Sequence, residues 1–498
     1  MPRADSINKR PALDPRNRLG YPQANLSVST HLVNYVSSRG QAPTAGFDQI
    51  LLAGLAPDGG LYLPAQWPAL GARAIADLAG CDYAEAAVRV LTPFLGGAVP
   101  PETFAAMVAD AYAGFDHPAT APLVQIDDNL WLLELFHGPT LAFKDIALQL
   151  LGRLFDHGLA ARGEHATVIG ATSGDTGSAA IHACMDRDNI DIFILHPKGR
   201  VSEVQRRQMT TVAAANVHNI AIEGTFDHCQ YLVKAMFNDT SFRAEMRLAA
   251  VNSINWARIM AQTVYYLTAA ANLGAPEREI AFSVPTGNFG DVYAGYVASR
   301  MGLPVRQLRV ATNRNDILAR LLSTGQYRTA AVSPTLSPSM DIQVASNFER
   351  LLFDLCGRDG AAVARLMGSL FADGGFEIEA AQLEQARALF QGVRIDEDAT
   401  LAEIARVHAE TGRLIDPHTA VGVAATRAAA GDRGVPWVAL ATAHPAKFPD
   451  AVARATGIRP ELPARWSHLM EAPERCRVLE RDLDAVQAYI RATGRPGN

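Results

Sequence analysis

Lysine is rare in this chain, and one lysine lies in a setting that suits covalent chemistry. Of the 45 basic residues only five are lysine, and the other 40 are arginine. Lys144 directly follows Leu141-Ala-Phe143. An amine can lose its proton and attack a carbonyl, which a guanidinium cannot do, and an apolar flank lowers the pKa of that amine. The setting therefore predicts a Schiff-base lysine, the alternative being a surface lysine at the start of a helix.

A glycine-punctuated segment, Pro285-Thr-Gly-Asn-Phe-Gly-Asp291, precedes a predicted helix. Glycines let backbone amides approach an anion closely, and the positive end of the helix adds to the attraction. The segment has neither GK[ST] nor GxGxxG spacing, so it is not a Walker or dinucleotide loop. It suits a cofactor phosphate, with a plain structural turn as the alternative.

Two further segments combine hydroxyls, amides and an arginine. The segment 171–177, Ala-Thr-Ser-Gly-Asp-Thr-Gly, precedes a predicted helix and could bind a substrate carboxylate or simply cap that helix. The segment 252–258, Asn-Ser-Ile-Asn-Trp-Ala-Arg, brings together an amide, a hydroxyl and a guanidinium if it bends into a helix. That combination suits a phosphate, and a capping asparagine beside a surface arginine is the alternative.

A fourth loop, residues 441–447, holds a hydroxyl, an imidazole and a second lysine: Thr442, His444 and Lys447. Thr442 could donate a hydrogen bond to a ring nitrogen. His444 is either a catalyst or a structural histidine, two readings that the sequence leaves open.

The elements that must position these loops follow one pattern. Strands are predicted over 167–170, 280–284 and 435–440, and helices over 178–185, 292–301 and 449–456. Strands that each lead into a helix predict an α/β protein with parallel sheets, in which ligands bind where strands end at their carboxyl side. Helices are also predicted over 49–55, 83–91, 145–159 and 472–492, and a strand over 130–135.

Size and composition exclude several classes of protein. The 498 residues, 49% hydrophobic and 19% charged, are typical of a globular chain with two or three domains. The net charge of −6 is spread along the chain, which argues against nucleic-acid and membrane partners. The five cysteines are scattered and form no CxxC pair, so we expect a cytoplasmic protein without disulfides or a metal site. The proline-rich and basic residues 1–32 predict a disordered extension.

Together and in this order, these motifs resemble the threonine synthase family, pyridoxal-phosphate enzymes of the tryptophan-synthase-β-like fold (fold type II). The resemblance runs from about residue 34 to the C-terminus and includes segments 35–40, 54–64, 311–316, 337–343 and 346–350. The long N-terminal region is similar to that of the larger bacterial and fungal subgroup. The resemblance implies an N-terminal domain (33–121), a large cofactor-binding α/β domain (122–165 and 283–498) and a small α/β domain (166–282).

The resemblance also implies roles for individual residues. Lys144 would hold pyridoxal 5'-phosphate as an internal aldimine, and Thr442 would bond the pyridine nitrogen. The cofactor phosphate would be held by Gly287, Asn288, Phe289, Gly290 and Asp291. The substrate carboxylate and the cofactor's 3-hydroxyl would be contacted by Ser173, Gly174, Asp175, Thr176 and Gly177; many relatives of the fold have asparagine where Asp175 stands. The substrate phosphate would be held by Asn252, Ser253 and Arg258.

The implied reaction converts O-phospho-L-homoserine and water to L-threonine and phosphate, by γ-elimination and β-addition of water, as the last step of threonine biosynthesis. A monomer or homodimer acting on this small molecule is expected. Two alternatives share the fold: a phospholyase and a threonine or serine dehydratase. A non-catalytic pyridoxal-phosphate-binding protein is an alternative of another class. A hydrolase built on Ser173 and His444 is disfavoured, because the sequence has no GxSxG elbow.

Overall fold

The computed structural model describes residues 33–250, 252–428 and 434–495, and the predicted disordered extension lies outside them. The strands are β1 Tyr35–Ser37, β2 Tyr62–Pro64, β3 Leu123–Asp127, β4 Leu130–Glu134, β5 Ala166–Ala171, β6 Ile190–Pro197, β7 Val217–Ile222, β8 Leu248–Ala249, β9 Ile280–Pro285, β10 Val305–Thr312, β11 Gln326–Arg328, β12 Gly375–Glu377, β13 Phe390–Arg394, β14 Trp437–Ala441 and β15 Arg477–Leu479. The helices are α1 Phe47–Ala53, α2 Ala72–Ala76, α3 Tyr83–Leu95, α4 Pro101–Tyr112, α5 Lys144–Ala160, α6 Asp175–Cys184, α7 Glu203–Thr210, α8 Phe226–Asn238, α9 Thr240–Glu245, α10 Trp256–Asn272, α11 Gly290–Arg300, α12 Ile317–Thr324, α13 Phe348–Leu355, α14 Gly360–Asp373, α15 Ala380–Arg387, α16 Glu397–Thr411, α17 Pro417–Ala428, α18 Pro449–Thr456 and α19 Leu483–Thr493. Short 3₁₀ turns cover Pro338–Met340, Pro445–Lys447 and Ala464–Trp466.

Two sheets organise the chain. The larger has the order β13-β10-β9-β14-β4-β3, and all its neighbours are parallel except β3 and β4. The smaller has the order β15-β7-β6-β5-β8 and is parallel throughout. Their central strands are buried and strongly apolar, as expected for sheets covered by helices on both faces.

The three predicted strand-loop-helix units are confirmed as β5–α6, β9–α11 and β14–α18. β9 and β14 are neighbours in the larger sheet, so their loops emerge side by side at its carboxyl edge. β5 is an inner strand of the smaller parallel sheet, and the third loop follows its carboxyl end. Helix α5 starts at Lys144 and is buried along most of its length.

The N-terminal region supports the site indirectly, because it packs against α10. Trp256, at the start of α10, packs against the rings of Tyr35, Trp67 and Phe94 with centroid distances of 5.8 to 6.1 Å. These side chains belong to one hydrophobic core that also includes α5 and α11. The position of Arg258, two residues after Trp256, is therefore fixed by the packing of the N-terminal region.

The C-terminal segment differs from its prediction. Instead of one helix over 472–492, the chain forms β15 and then α19, whose first turn is capped by the side chain of Asp482. β15 pairs with β7, so these residues join the smaller sheet, whereas the prediction assigned them to the large domain. A three-residue edge strand is stabilised by hydrogen bonds to the unpaired backbone groups of its neighbour. The periodicity of the local sequence does not reveal that neighbour. Within the described ranges, no helix combines the length and apolar character needed to cross a membrane.

Candidate active site

The loops after β5, β9 and β14 and the start of α5 surround one cavity. Its wall is formed by Phe143, Lys144, Asp175, Thr176, Ser253, Arg258, Gln262, Pro285, Thr286, Gly287, Asn288, Phe289, Gly290, Asp291, Ser339, Met340, His418, Thr442 and Ala443. This set includes residues from all four of the segments that the sequence singled out. Segments separated by up to 300 residues in the chain thus meet where parallel strands end.

Lys144 is the first residue of α5, and 10% of its side chain is exposed. Its Nζ lies 3.4 Å from Asp175 Oδ2 and 4.8 Å from the centre of the Phe143 ring. Burial lowers the pKa of Lys144; Asp175 opposes this shift, and the charges of Lys447 and Arg258 reinforce it. The direction predicted from the apolar flank is confirmed, and the amine is suited to attack a carbonyl.

Asp175 is a buried carboxylate shared between two lysines. Its Oδ1 lies 2.6 Å from Lys447 Nζ and accepts a hydrogen bond of 2.8 Å from Gln205 Nε2. Its Oδ2 faces Lys144 Nζ and accepts from Ser339 Oγ at 3.3 Å. Burial alone would raise the pKa of Asp175, but the charges of Lys447 and Lys144 and the hydrogen bonds hold it well below its usual value.

The rest of the loop after β5 is partly turned away from the cavity. Gly174 and Gly177 donate their backbone N–H groups to Thr172 Oγ1 at 3.0 and 2.9 Å. Ser173 is exposed to solvent. Asp175 and Thr176 alone of the five predicted substrate residues in this loop belong to the cavity wall.

The loop after β9 presents backbone and a second buried aspartate. Phe289 has φ +63°, a left-handed conformation that a bulky residue rarely adopts and that often marks functional loops. Asp291 Oδ1 accepts hydrogen bonds from the Tyr265 and Tyr266 hydroxyls, and Oδ2 has no hydrogen-bond partner within the described residues. Burial raises the pKa of Asp291 to about 6, although both tyrosines act in the opposite direction.

Arg258 is a buried cation in the wall of the cavity. The residue is 5% exposed, and its Nη1 has no hydrogen-bond partner in the described part of the chain. Burial lowers its pKa to about 10, so it remains a cation at neutral pH. Ser253 lies in the cavity wall with Arg258, and its hydroxyl contacts Asn288 Nδ2. Asn252 lies outside the wall and uses Oδ1 to accept from the N–H groups of Ile254 and Asn255.

The loop after β14 contributes Thr442 to the cavity but not His444. Thr442 is 5% exposed, and its carbonyl accepts from the N–H of Phe143 at 2.8 Å, which ties this loop to the residue before Lys144. His444 caps the 3₁₀ turn through Ala446 and packs against Phe136. Burial lowers the pKa of His444 to about 4. Its geometry is that of a structural histidine.

Several residues at or beside the cavity are absent from the predicted set, among them Ser339, His418 and Lys447. Ser339 and His418 lie in the cavity wall, and the Ser339 N–H donates to His418 Nε2 at 3.2 Å. His418 Nδ1 lies 2.6 Å from Asp416 Oδ2, a contact that orients the imidazole ring. The third, Lys447, is fully buried next to Asp175. The rarity of lysine was a signal in the sequence for Lys447. Ser339 lies in segment 337–343, which contributed to the resemblance without an assigned role, and His418 lies in a segment that the sequence did not single out.

Comparison with known proteins identifies the family of this site. Three family models match the chain: "Threonine synthase N terminus" over residues 34–112, "Pyridoxal-phosphate dependent enzyme" over 116–369 and "Threonine synthase, C-terminal" over 419–490. A threonine synthase of Pseudomonas aeruginosa is 56% identical over 93% of this chain and 99% of its own length. The chain belongs to the threonine synthase family.

Solved structures of this family have the same fold. A pyridoxal-phosphate-bound threonine synthase from Brucella melitensis is 56% identical, with a TM-score of 0.92 over 93% of this chain and 100% of that one. The yeast threonine synthase structure is 38% identical, with a TM-score of 0.89 over 93% of this chain and 99% of that one. The family and the fold type II architecture predicted from the sequence are thereby confirmed.

Proposed function

We propose that this chain is a lyase that converts O-phospho-L-homoserine and water to L-threonine and phosphate, with pyridoxal 5'-phosphate as cofactor. Its membership of the threonine synthase family supports the reaction, and the cavity supports the chemistry. The observation that carries the proposal is that Lys144, a buried amine with a lowered pKa, shares one cavity with the glycine-containing loop after β9 and with Arg258. The cytoplasm is the proposed location.

The residues of the cavity fit the proposed cofactor. A Cβ atom at Gly287 would lie 2.7 Å from the Ser339 carbonyl oxygen, so only glycine leaves room beside that backbone. The start of α11 offers backbone N–H groups and the positive end of a helix dipole to a phosphate. We propose that Gly287, Asn288, Phe289 and Gly290 hold the cofactor phosphate, that Lys144 attaches the cofactor, and that Thr442 bonds its ring nitrogen. When bound, pyridoxal phosphate withdraws electrons from the carbons near the substrate's amino group and so makes their protons acidic.

Lys144 is the proposed base. Burial lowers the pKa of Lys144 and so favours the unprotonated amine, whose Nζ can accept the proton from the substrate's α-carbon and return it later. Lys144 is held in place by α5 and by the neighbouring Asp175. Thr176 and the start of α6 are the proposed contact for the substrate carboxylate, and Ser173 stays a predicted contact at the outer side of that loop.

Arg258 and Ser253 are the proposed holders of the substrate phosphate. A guanidinium with an unpartnered Nη can form a charge-assisted hydrogen bond with the phosphate as it leaves the γ-carbon. The predicted contribution of Asn252 has less support, because this residue lies outside the cavity wall.

The test is incubation of the purified chain with O-phospho-L-homoserine, with phosphate and threonine both measured. We expect equal amounts of the two products. Release of phosphate with 2-oxobutanoate instead of threonine would identify the phospholyase alternative, and absence of turnover with cofactor bound would identify the non-catalytic one. Borohydride reduction should fix the cofactor on a peptide that contains Lys144, and label on Lys447 would refute the assignment.

A further inference from the structure

The second buried lysine of the site has no role in the reaction described above. Of the lysines that the structure describes, Lys198 and Lys234 are exposed, whereas Lys144 and Lys447 are buried. Lys447 is fully buried, lies outside the cavity wall and contacts two groups. Its Nζ is 2.6 Å from Asp175 Oδ1 and donates to the Thr140 carbonyl at 2.8 Å.

The contact with Asp175 connects the larger sheet with the smaller one. Lys447 follows β14 in the larger sheet, and Asp175 follows β5 in the smaller sheet. Thr140 lies in the loop before α5 and also holds Asp145, through its N–H at 2.7 Å and its hydroxyl at 2.6 Å. Lys447 therefore contacts the loop that leads to Lys144 as well as the carboxylate that faces it.

The charges around Lys144 come from several elements. Asp175 of α6 lies closest, Lys447 stands behind it, Arg258 comes from α10 and Asp291 from α11. His418 of α17 and the Ser339 hydroxyl complete the surroundings, and the carboxylate of Asp145 on α5 accepts hydrogen bonds from Thr140. A bare carboxylate at 3.4 Å would hold the Lys144 amine protonated. Next to a carboxylate already paired with Lys447, the amine experiences a nearly neutral pair.

We propose that Lys447 is a positioning residue: by pairing with Asp175, it orients that carboxylate and cancels its charge, and so keeps the Lys144 amine free to take up cofactor. The inference rests on the proposed role of Lys144. A neutral pair, such as asparagine with methionine, would serve the same electrostatic purpose as the charged pair of aspartate with lysine. Removal of one partner alone should leave the charge of the other uncompensated next to the Lys144 amine.

The test is a double-mutant cycle of Lys447→Met, Asp175→Asn and the two combined, in the full-length chain. The rate at which pyridoxal phosphate becomes attached to Lys144 is followed from pH 5 to 10 by borohydride trapping and mass spectrometry. We expect the midpoint of the profile to rise by at least about one pH unit in Lys447→Met and to fall by a similar amount in Asp175→Asn. The double variant should return close to the unmodified chain.

Gln208→Leu is the matched control, since Gln208 is fully buried and donates to the same Thr140 carbonyl at 3.2 Å without touching Asp175. We expect this variant to leave the midpoint unchanged. Equal shifts in Gln208→Leu and Lys447→Met, or a double variant whose midpoint stays displaced like that of a single variant, would overturn the proposal. If Lys447→Met does not fold, comparison of Asp175→Asn with the double variant still tests the proposal. These two variants differ only in the removal of Lys447, which should raise the midpoint. Label on another lysine in the unmodified chain would instead refute the assignment of Lys144.

Discussion

The loops after β5 and β9 both end in Gly-Asp at the start of a helix, yet their aspartates have opposite electrostatic settings. Asp175 and Asp291 are both buried in the first turn, of α6 and α11 respectively. Asp175 is paired with Lys447 and faces Lys144, and its pKa is well below its usual value. Asp291 is bonded to two tyrosine hydroxyls, and burial raises its pKa to about 6.

This contrast shows what the local motif decides and what it leaves open. A helix start favours an anion in either place, so the dipole does not account for the difference. The charge of Asp175 is stabilised by Lys447, which is distant in the chain, whereas Asp291 has only neutral donors from α10. The first loop therefore holds a carboxylate that stays ionised as one half of a charged pair, and the second holds a carboxyl group that can gain a proton near an incoming phosphate.

The largest effect is expected where the charged pair is broken. Asp175→Asn leaves Lys447 buried without its counter-charge, and loss of one partner of a buried pair costs about 3–5 kcal/mol. The free energy of unfolding, measured with urea at pH 7.5 on the chain without cofactor, should fall by this amount. A variant as stable as the unmodified chain would contradict the ionised state of Asp175.

The same substitution in the second loop should act in the opposite direction. A raised pKa means that ionisation opposes folding, so Asp291 lowers stability progressively as the pH rises from about 4 to about 6. A displacement of about two pKa units corresponds to about 3 kcal/mol at pH 8. Asp291→Asn without cofactor should therefore melt at a higher temperature than the unmodified chain at pH 8, with the advantage lost at pH 4. Asp398→Asn, at an exposed first-turn position of α16, is the control and should show no such dependence.

The sequence was a good guide to backbone position and a poor one to partners. The apolar strands and the glycine-containing loops predicted that residues near 144, 175, 290 and 442 would meet, because carboxyl ends of parallel strands share an edge. Periodicity does not show which side chains from distant elements contact one another. The pairing of Lys447 with Asp175 and the hydrogen bond from Ser339 to His418 were therefore not predicted. β15 was missed for a related reason, since an edge strand depends on its neighbour β7.

The cavity between the two loops also contains Arg258, whose Nη1 has no hydrogen-bond partner within the described residues, and Arg258→Lys tests its role. Lysine keeps the charge but loses the planar fork, and a charge-assisted hydrogen bond contributes about 1.5–3 kcal/mol. We expect kcat/KM for O-phospho-L-homoserine to fall by about one to two decades. Binding of threonine, which lacks a phosphate, should barely change when it is read from the cofactor's absorption.

Arg309→Lys provides the control for that experiment. Arg309 is equally buried, but it stacks on Trp437 and bonds to Gln391, away from the cavity. Its replacement should affect stability and leave the preference for the phosphate-bearing ligand intact. Equal losses for both ligands in Arg258→Lys would mean that Arg258 supports the fold or the carboxylate site instead.

The smallest effects should come from alanine at the two glycines that precede the aspartates, and they should be unequal. Gly174 has φ +149°, and a Cβ there would lie 2.4 Å from Gln205 Cδ, the side chain that holds Asp175. Such a backbone conformation costs a residue other than glycine about 1–3 kcal/mol, so Gly174→Ala should lose that much stability. At Gly290 the nearest atom to a Cβ would be Asn347 Nδ2 at 3.1 Å, and the backbone is ordinary for a helix start. Gly290→Ala should therefore lose less than about 1 kcal/mol. Urea unfolding of both variants measures the difference. Equal losses would mean that the two loops tolerate a side chain alike, and that the geometry of the first loop is no more constrained than that of the second.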